Sequence, residues 1–241
     1  MEQNEFYFQA GINAGTSYAT FMKLQILIYL LFTLSASGQT EKNSQQTSTM
    51  SEIDTLQKHT ENMSDYSPTF DKAHPNAKRL MNEEFYFSTI DEYGPFGNDD
   101  GTDTYAGFQE WRRTNKTKSP KEFLTEQISR WGYPTFDYNE TNFEKLKPYL
   151  KQSEIGSRLL TGTDASIIAI AFGQLYLEGT IDKDFKELAK TAIKRELIPE
   201  MLLLWGTPYG IEQLKPKPDD PAIVERKKKL KKMQAVLDQV D

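Results

Sequence analysis

Apolar residues recur at helical spacing over the C-terminal two thirds of the chain, while the stretch before residue 80 lacks that rhythm. Phe123, Leu124, Ile128 and Trp131 share one helical face behind Ser119-Pro120-Lys121-Glu122, a capping box with proline at the first helical position, and Gly132 with Pro134 ends that run. Tyr105, Phe108 and Trp111 stand at i, i+3 intervals and predict a helix from Thr102 or Asp103. Asn142–Leu150 predicts a short helix limited by Pro148. Residues 165–177 are apolar on nearly every side, which predicts the central buried helix, capped by Asp164 and ended by Gly179. Asp182 opens a partner helix with a stripe of Phe185, Leu188, Ala189, Ala192, Ile193 and Leu197. Pro199 restarts a short helix, Met201–Trp205, halted by Gly206 and Pro208. Beyond Pro216, Pro218 and Pro221, a last amphipathic helix, Ile223–Val240, turns Ile223, Leu230, Met233, Leu237 and Val240 inward. Phe85 and Phe87 alternate within Glu84–Ile90, so at most a short strand is expected near the start. The sum is an all-α class: a single compact domain of five to six helices over residues 81–241.

The N-terminal part reads differently. Leu24–Leu34 is a largely apolar stretch of eleven residues behind Lys23, followed by Ser35-Ala36-Ser37-Gly38. A bilayer-spanning helix needs about 20 residues, so the run is too short to anchor and has the length of a signal-peptide core. Residues 22–38 are therefore expected to be a signal peptide cleaved between Gly38 and Gln39, leaving no stable membrane anchor and delivering the chain to the periplasm or outside the cell. Residues 1–21, with two glutamates and an aromatic-rich segment, make a poor leader, and translation is expected to begin at Met22. Residues 39–80 are rich in Gln, Ser, Thr, Asn and Lys, a composition that buries too little surface to offset chain entropy, and predict a flexible polar tether.

Composition narrows the chemistry. The chain has 241 residues, no cysteine and a formal charge of −6. Disulfides, thiolate zinc sites and a cysteine nucleophile are excluded, and the acidic balance disfavours nucleic acid as a partner. Both histidines, His59 and His74, fall in the predicted tether, so no histidine is expected inside the fold for a nucleophilic triad or a metal site. No phosphate-binding glycine loop occurs. The loop Asn98, Asp99, Asp100, Asp103 invites a calcium reading, but placing Gly101 sixth in an EF-hand puts Phe96 first and Gly107 twelfth, where acids are required. Helix capping is the plainer role for these acids. No catalytic residue, metal ligand or cofactor is assigned.

Glu225–Lys232 concentrates six basic residues in seven positions. Its readings are a solvated helix face, an anionic membrane or nucleic-acid contact, and a docking patch for an acidic protein; the apolar stripe on the same helix favours the first. Two candidate binding surfaces result. One is the loop with Tyr93, Phe96, Asn98, Asp99, Asp100 and Asp103, and the other is the basic face with Lys228, Lys229 and Lys232.

Tyr93-Gly94-Pro95-Phe96-Gly97-Asn98-Asp99, followed by Asp103 and a helix with Phe108 and Trp111, resembles the opening of the bacterial family called domain of unknown function 4259, with Tyr93 at the family's Trp position. The similarity continues through the apolar helix at 164–177, Glu196-Leu197 near Trp205 and the closing helix, about residues 92–240. The resemblance implies a small helical protein of the immunity or binding kind and brings no catalytic residues. The expectation is an exported, non-enzymatic envelope protein that binds another protein, such as an immunity protein against a delivered toxin. The alternatives are a carboxylate-based envelope hydrolase and a structural or accessory envelope protein.

Overall fold

The computed structural model describes residues 67–153, 155–204 and 219–241, all within the unit Gln57–Asp241. The expected signal peptide and cleavage site, the tether up to residue 66, His59, and the Trp205–Pro218 connection lie outside the described residues.

The fold is all-α. Among the described residues it has eight α-helices and no strand: α1 Pro75–Leu80, α2 Asp99–Thr114, α3 Pro120–Trp131, α4 Phe143–Leu150, α5 Gly156–Glu178, α6 Lys183–Glu196, α7 Pro199–Leu202 and α8 Pro221–Gln239. The short helix expected after Pro199 is α7, which begins at Pro199 itself, and α1 is the helix that was not expected. The expected strand is instead a 3₁₀ turn, Glu84–Tyr86, because Phe85 and its neighbour Tyr86 both bury their rings, which an extended segment would send to opposite faces.

Helix α5 is the axis. Ile167 through Leu175 are all buried, and α1, α2, α3, α4 and α6 pack around it. It is the one helix among the described residues long and apolar enough to cross a membrane, yet 89% of its most apolar stretch is enclosed by the fold. Where α2 crosses it, the α5 surface is small: a Cβ on Gly173 would stand 3.1 Å from the Tyr105 ring, and Thr104 Oγ1 bonds Ser166 Oγ at 3.0 Å. A smaller apolar cluster, Leu146, Tyr149, Leu150, Leu160, Met201 and Leu204, joins α4 and α7 to the first turns of α5.

Capping chemistry matches sequence at several ends. Ser119 Oγ accepts from Lys121 N, Asn142 Oδ1 from Glu144 N, Asp182 Oδ1 from Phe185 N, and Gly132 and Gly179 close α3 and α5 in the left-handed region. Three expectations are corrected. Helix α2 begins at Asp99, not Thr102 or Asp103, because Asn98 Oδ1 accepts from Gly101 N and makes Asn98 the cap. Helix α5 begins at Gly156, so Asp164 lies inside it and caps nothing; its carboxylate is completely buried against Arg195 of α6. The folded body also begins earlier than Leu80. Ala73 and Ala77 are in the core, and His74, assigned to the tether, caps α1 with Nδ1 accepting from Asn76 N while its own N–H bonds the Tyr176 carbonyl. A Cβ on Gly179 would fall 2.0 Å from His74 Nδ1, so glycine there admits the imidazole as well as ending α5.

Candidate binding surface

Residues 91–98 form a tight loop whose glycines serve backbone packing. A Cβ on Gly97 would lie 1.8 Å from the Asp91 carbonyl oxygen, and one on Gly94 2.5 Å from that of Phe85. Phe96 is fully buried against Tyr105, with ring centroids 4.5 Å apart, and is therefore a core residue and no surface anchor. Tyr93 is half-buried, its carbonyl held by Arg226 Nη1 at 2.9 Å.

The loop delivers three carboxylates to the first turns of α2. Asp100 is buried and accepts from Tyr133 Oη at 2.9 Å and from Arg158 Nη1. Gly162, one turn beyond Arg158 on α5, leaves room for this pair: a Cβ there would stand 2.8 Å from both Arg158 Nη1 and Asp100 Oδ2. Burial, then the Asp100 charge and hydrogen bond, push the Tyr133 phenol up to about 12 against the opposing pull of Arg158. The phenol therefore stays protonated and donates. Asp99 and Asp103 stay exposed. Partial burial, with the Asp99 and Asp100 charges, raises the Asp103 carboxyl above its usual range. Trp131 packs beside Tyr133 at a centroid distance of 5.3 Å, and both rings are partly exposed. Exposed acids, two amphipathic rings and the half-exposed Arg158 thus share one corner where α2, α3 and α5 meet.

The two predicted surfaces are not equivalent. Asp99, Asp100 and Asp103 come together; Asn98 is the cap beneath them. On α8, Lys229 is only 12% exposed, bonds Asp91 at 2.5 Å and lies over the rings of Phe85 and Tyr93, and Lys232 bonds Glu83. Arg226 of the same run is buried and takes both oxygens of Glu196. Lys228 is exposed and bonds Glu225 at 3.3 Å. Half of the run expected as a solvated face thus ties α8 to the 83–93 segment and to α6. Sequence reasoning missed Tyr133 and Arg158. Tyr133 follows the helix stop, and Arg158 precedes the apolar run; no local periodicity marks either as a partner of Asp100.

Guanidinium–carboxylate pairs also occupy the interior. Arg195 Nε contacts both Asp164 oxygens at 3.0–3.1 Å, and its Nη1 donates to the Tyr138 and Glu140 carbonyls at 2.8 Å each. Burial raises the Asp164 carboxyl while Arg195 pulls it the other way. Among the described residues no three His, Asp or Glu side chains are grouped as metal ligands would be.

Among known proteins, the chain is similar to the uncharacterized protein YfeS of Escherichia coli, with 26% identity over 138 residues. The alignment covers 56% of this chain and 54% of YfeS, so the chain spans about half the length of that relative. No family model matches the chain, and no solved structure matches it.

Proposed function

We propose that this chain is an exported cell-envelope protein that works by binding another protein, in the manner of an immunity protein that neutralises a delivered toxin. The observation that carries the reading is the corner built on Asp100. Its buried carboxylate is already neutralised by Arg158 and oriented by Tyr133, against which Trp131 packs, while Asp99 and Asp103 on the same end of α2 are exposed. Such an arrangement suits recognition: exposed carboxylates steer a basic partner, and rigid rings with a polar tip anchor it. It suits hydrolysis poorly, because the buried carboxylate of the corner is already engaged by a guanidinium and a phenol. Export is read from the signal peptide at 22–38, and kinship with domain of unknown function 4259 from the Tyr93–Asp99 motif; both belong to this proposal.

The test is affinity capture from envelope extracts with the wild-type chain and with an Asp99→Lys/Asp103→Lys variant, each checked for unchanged melting. The expected result is a basic partner retained by the wild type and lost by the variant. Equal retention by both overturns the docking surface. Turnover of an envelope glycan or peptide that disappears with Asp100→Asn overturns the binding role itself.

A further inference from the structure

We infer that Asn139 is an acceptor for N-linked glycosylation, an inference that rests on the export reading above. The chain holds three Asn-x-Ser/Thr matches: Asn62-Met63-Ser64, Asn115-Lys116-Thr117 and Asn139-Glu140-Thr141. This pattern marks an acceptor amide in exported proteins, and the acidic-sequon class of bacterial oligosaccharyltransferase requires in addition an acidic side chain two positions before the asparagine. Only Asn139 satisfies that second condition. Asp137 precedes it, whereas Arg113 and Thr60 stand at the corresponding positions of the other two.

Structure separates the two described matches in the same direction. Asn115 caps the C-terminal end of α2, and its side-chain Nδ2, the atom that would be glycosylated, donates to the Trp111 carbonyl at 2.8 Å and to Thr114 Oγ1 at 3.1 Å. Asn139 sits in a turn closed by Glu140 N to the Asp137 carbonyl at 2.9 Å, and Asp137, Asn139 and Thr141 are all exposed. Among the described residues nothing hydrogen-bonds the Asn139 side-chain amide or the Thr141 hydroxyl, the two groups a transferase must engage. The turn also borders an open cleft of about 430 Å³ whose wall includes Ser119, Lys121 and Asp184. Arg195 holds the carbonyls on either side of Asn139, so the acceptor is displayed on a fixed backbone.

In the transfer, Asn139 Nδ2 attacks C1 of the sugar in a lipid-pyrophosphate-linked oligosaccharide. The C1–O bond to pyrophosphate breaks as the N–C1 bond forms, one amide proton goes to a carboxylate of the transferase, and lipid pyrophosphate leaves. No oxidant or reductant is needed.

The test expresses the full chain in a bacterium together with an acidic-sequon oligosaccharyltransferase and its lipid-linked donor, with intact mass and peptide mapping of the envelope fraction. A chain that begins at Gln39 and carries glycan on Asn139 is the expected product. Asn139→Gln should abolish the modification, Asp137→Asn should lose most of it, and Asn115→Gln should leave it unchanged, the Asn139 and Asp137 variants keeping wild-type melting. A chain that begins at Gln39 without glycan, or with glycan on Asn115, overturns the inference and leaves the export reading standing. A chain that keeps residues 22–38 in the cytoplasm overturns both.

Discussion

Asp164 and Arg195 are 31 residues apart in sequence, yet they meet through three hydrogen bonds with both side chains wholly withdrawn from solvent. Beside them Glu196 and Arg226 repeat the arrangement, so consecutive residues of α6 bind a neighbour on α5 and one on α8. Removing one member of such a pair strands a buried charge. Arg195→Leu should therefore cost about 3–5 kcal/mol of stability, measured by urea unfolding. The double variant Asp164→Leu/Arg195→Leu should cost less than the sum of the singles, with a residue of the penalty left by the unpaired Tyr138 and Glu140 carbonyls. Strict additivity would show that the pair does not act as a unit.

Gly97 is the position where the 91–98 loop tolerates least. Its missing side chain is what lets the Asp91 carbonyl approach, and Gly97→Ala would force backbone to move, costing about 1–3 kcal/mol or more. Gly132→Ala meets no atom within 4 Å and faces only the strain of a φ near 68°, about 1–2 kcal/mol. Parallel thermal melts should rank Gly97→Ala below Gly132→Ala; the reverse order would refute the close approach.

Glu178 links α5 to α2. Partial burial pushes its carboxyl up, but hydrogen bonds from Arg112 and Gln174, with the Arg112 charge, outweigh that and hold it below the ordinary 4.5. The folded state thus binds this proton less tightly than the unfolded chain. The resulting stabilisation is fully present at neutral pH and is lost as pH falls from 4.5 through the lowered value. Arg112→Gln should narrow the gap in unfolding midpoint between neutral pH and about pH 3.5. An unchanged gap would mean that Glu178 carries no such linkage.

Much of the architecture is written locally. Ser119-Pro120 and Asp182 open helices through side-chain capping or a fixed φ, Gly132 and Gly179 close them because a residue without Cβ enters the left-handed region freely, and all four perform as their residue types suggest. Asp164 misleads because a short acid before an apolar run looks like a cap, and the guanidinium that justifies its burial comes from a distant helix. The α8 lysines mislead for a related reason: a charge run looks solvated until Asp91, Glu83 and Glu196 are folded against it. His74 escapes notice because six residues of α1 hold too few apolar positions to show a period. The acidic corner was half legible, since its carboxylates lie close together in sequence, whereas Arg158 joins it only through the packing of α5 on α2 and Tyr133 only through the chain that leaves α3.

The segment from Thr69 to Asn76 is stitched to the last turn of α5. Thr69 N and O both bond the Tyr176 hydroxyl, His74 N bonds the Tyr176 carbonyl, and Asn76 Nδ2 bonds that of Gly179. A mechanical load entering at residue 67 would meet these bonds together and pass straight into the central helix, without first peeling α1 from the surface. In a single-molecule pulling experiment gripped at this end, the domain should yield in one high-force rupture, and Tyr176→Phe, which removes the bonds to Thr69, should lower that force.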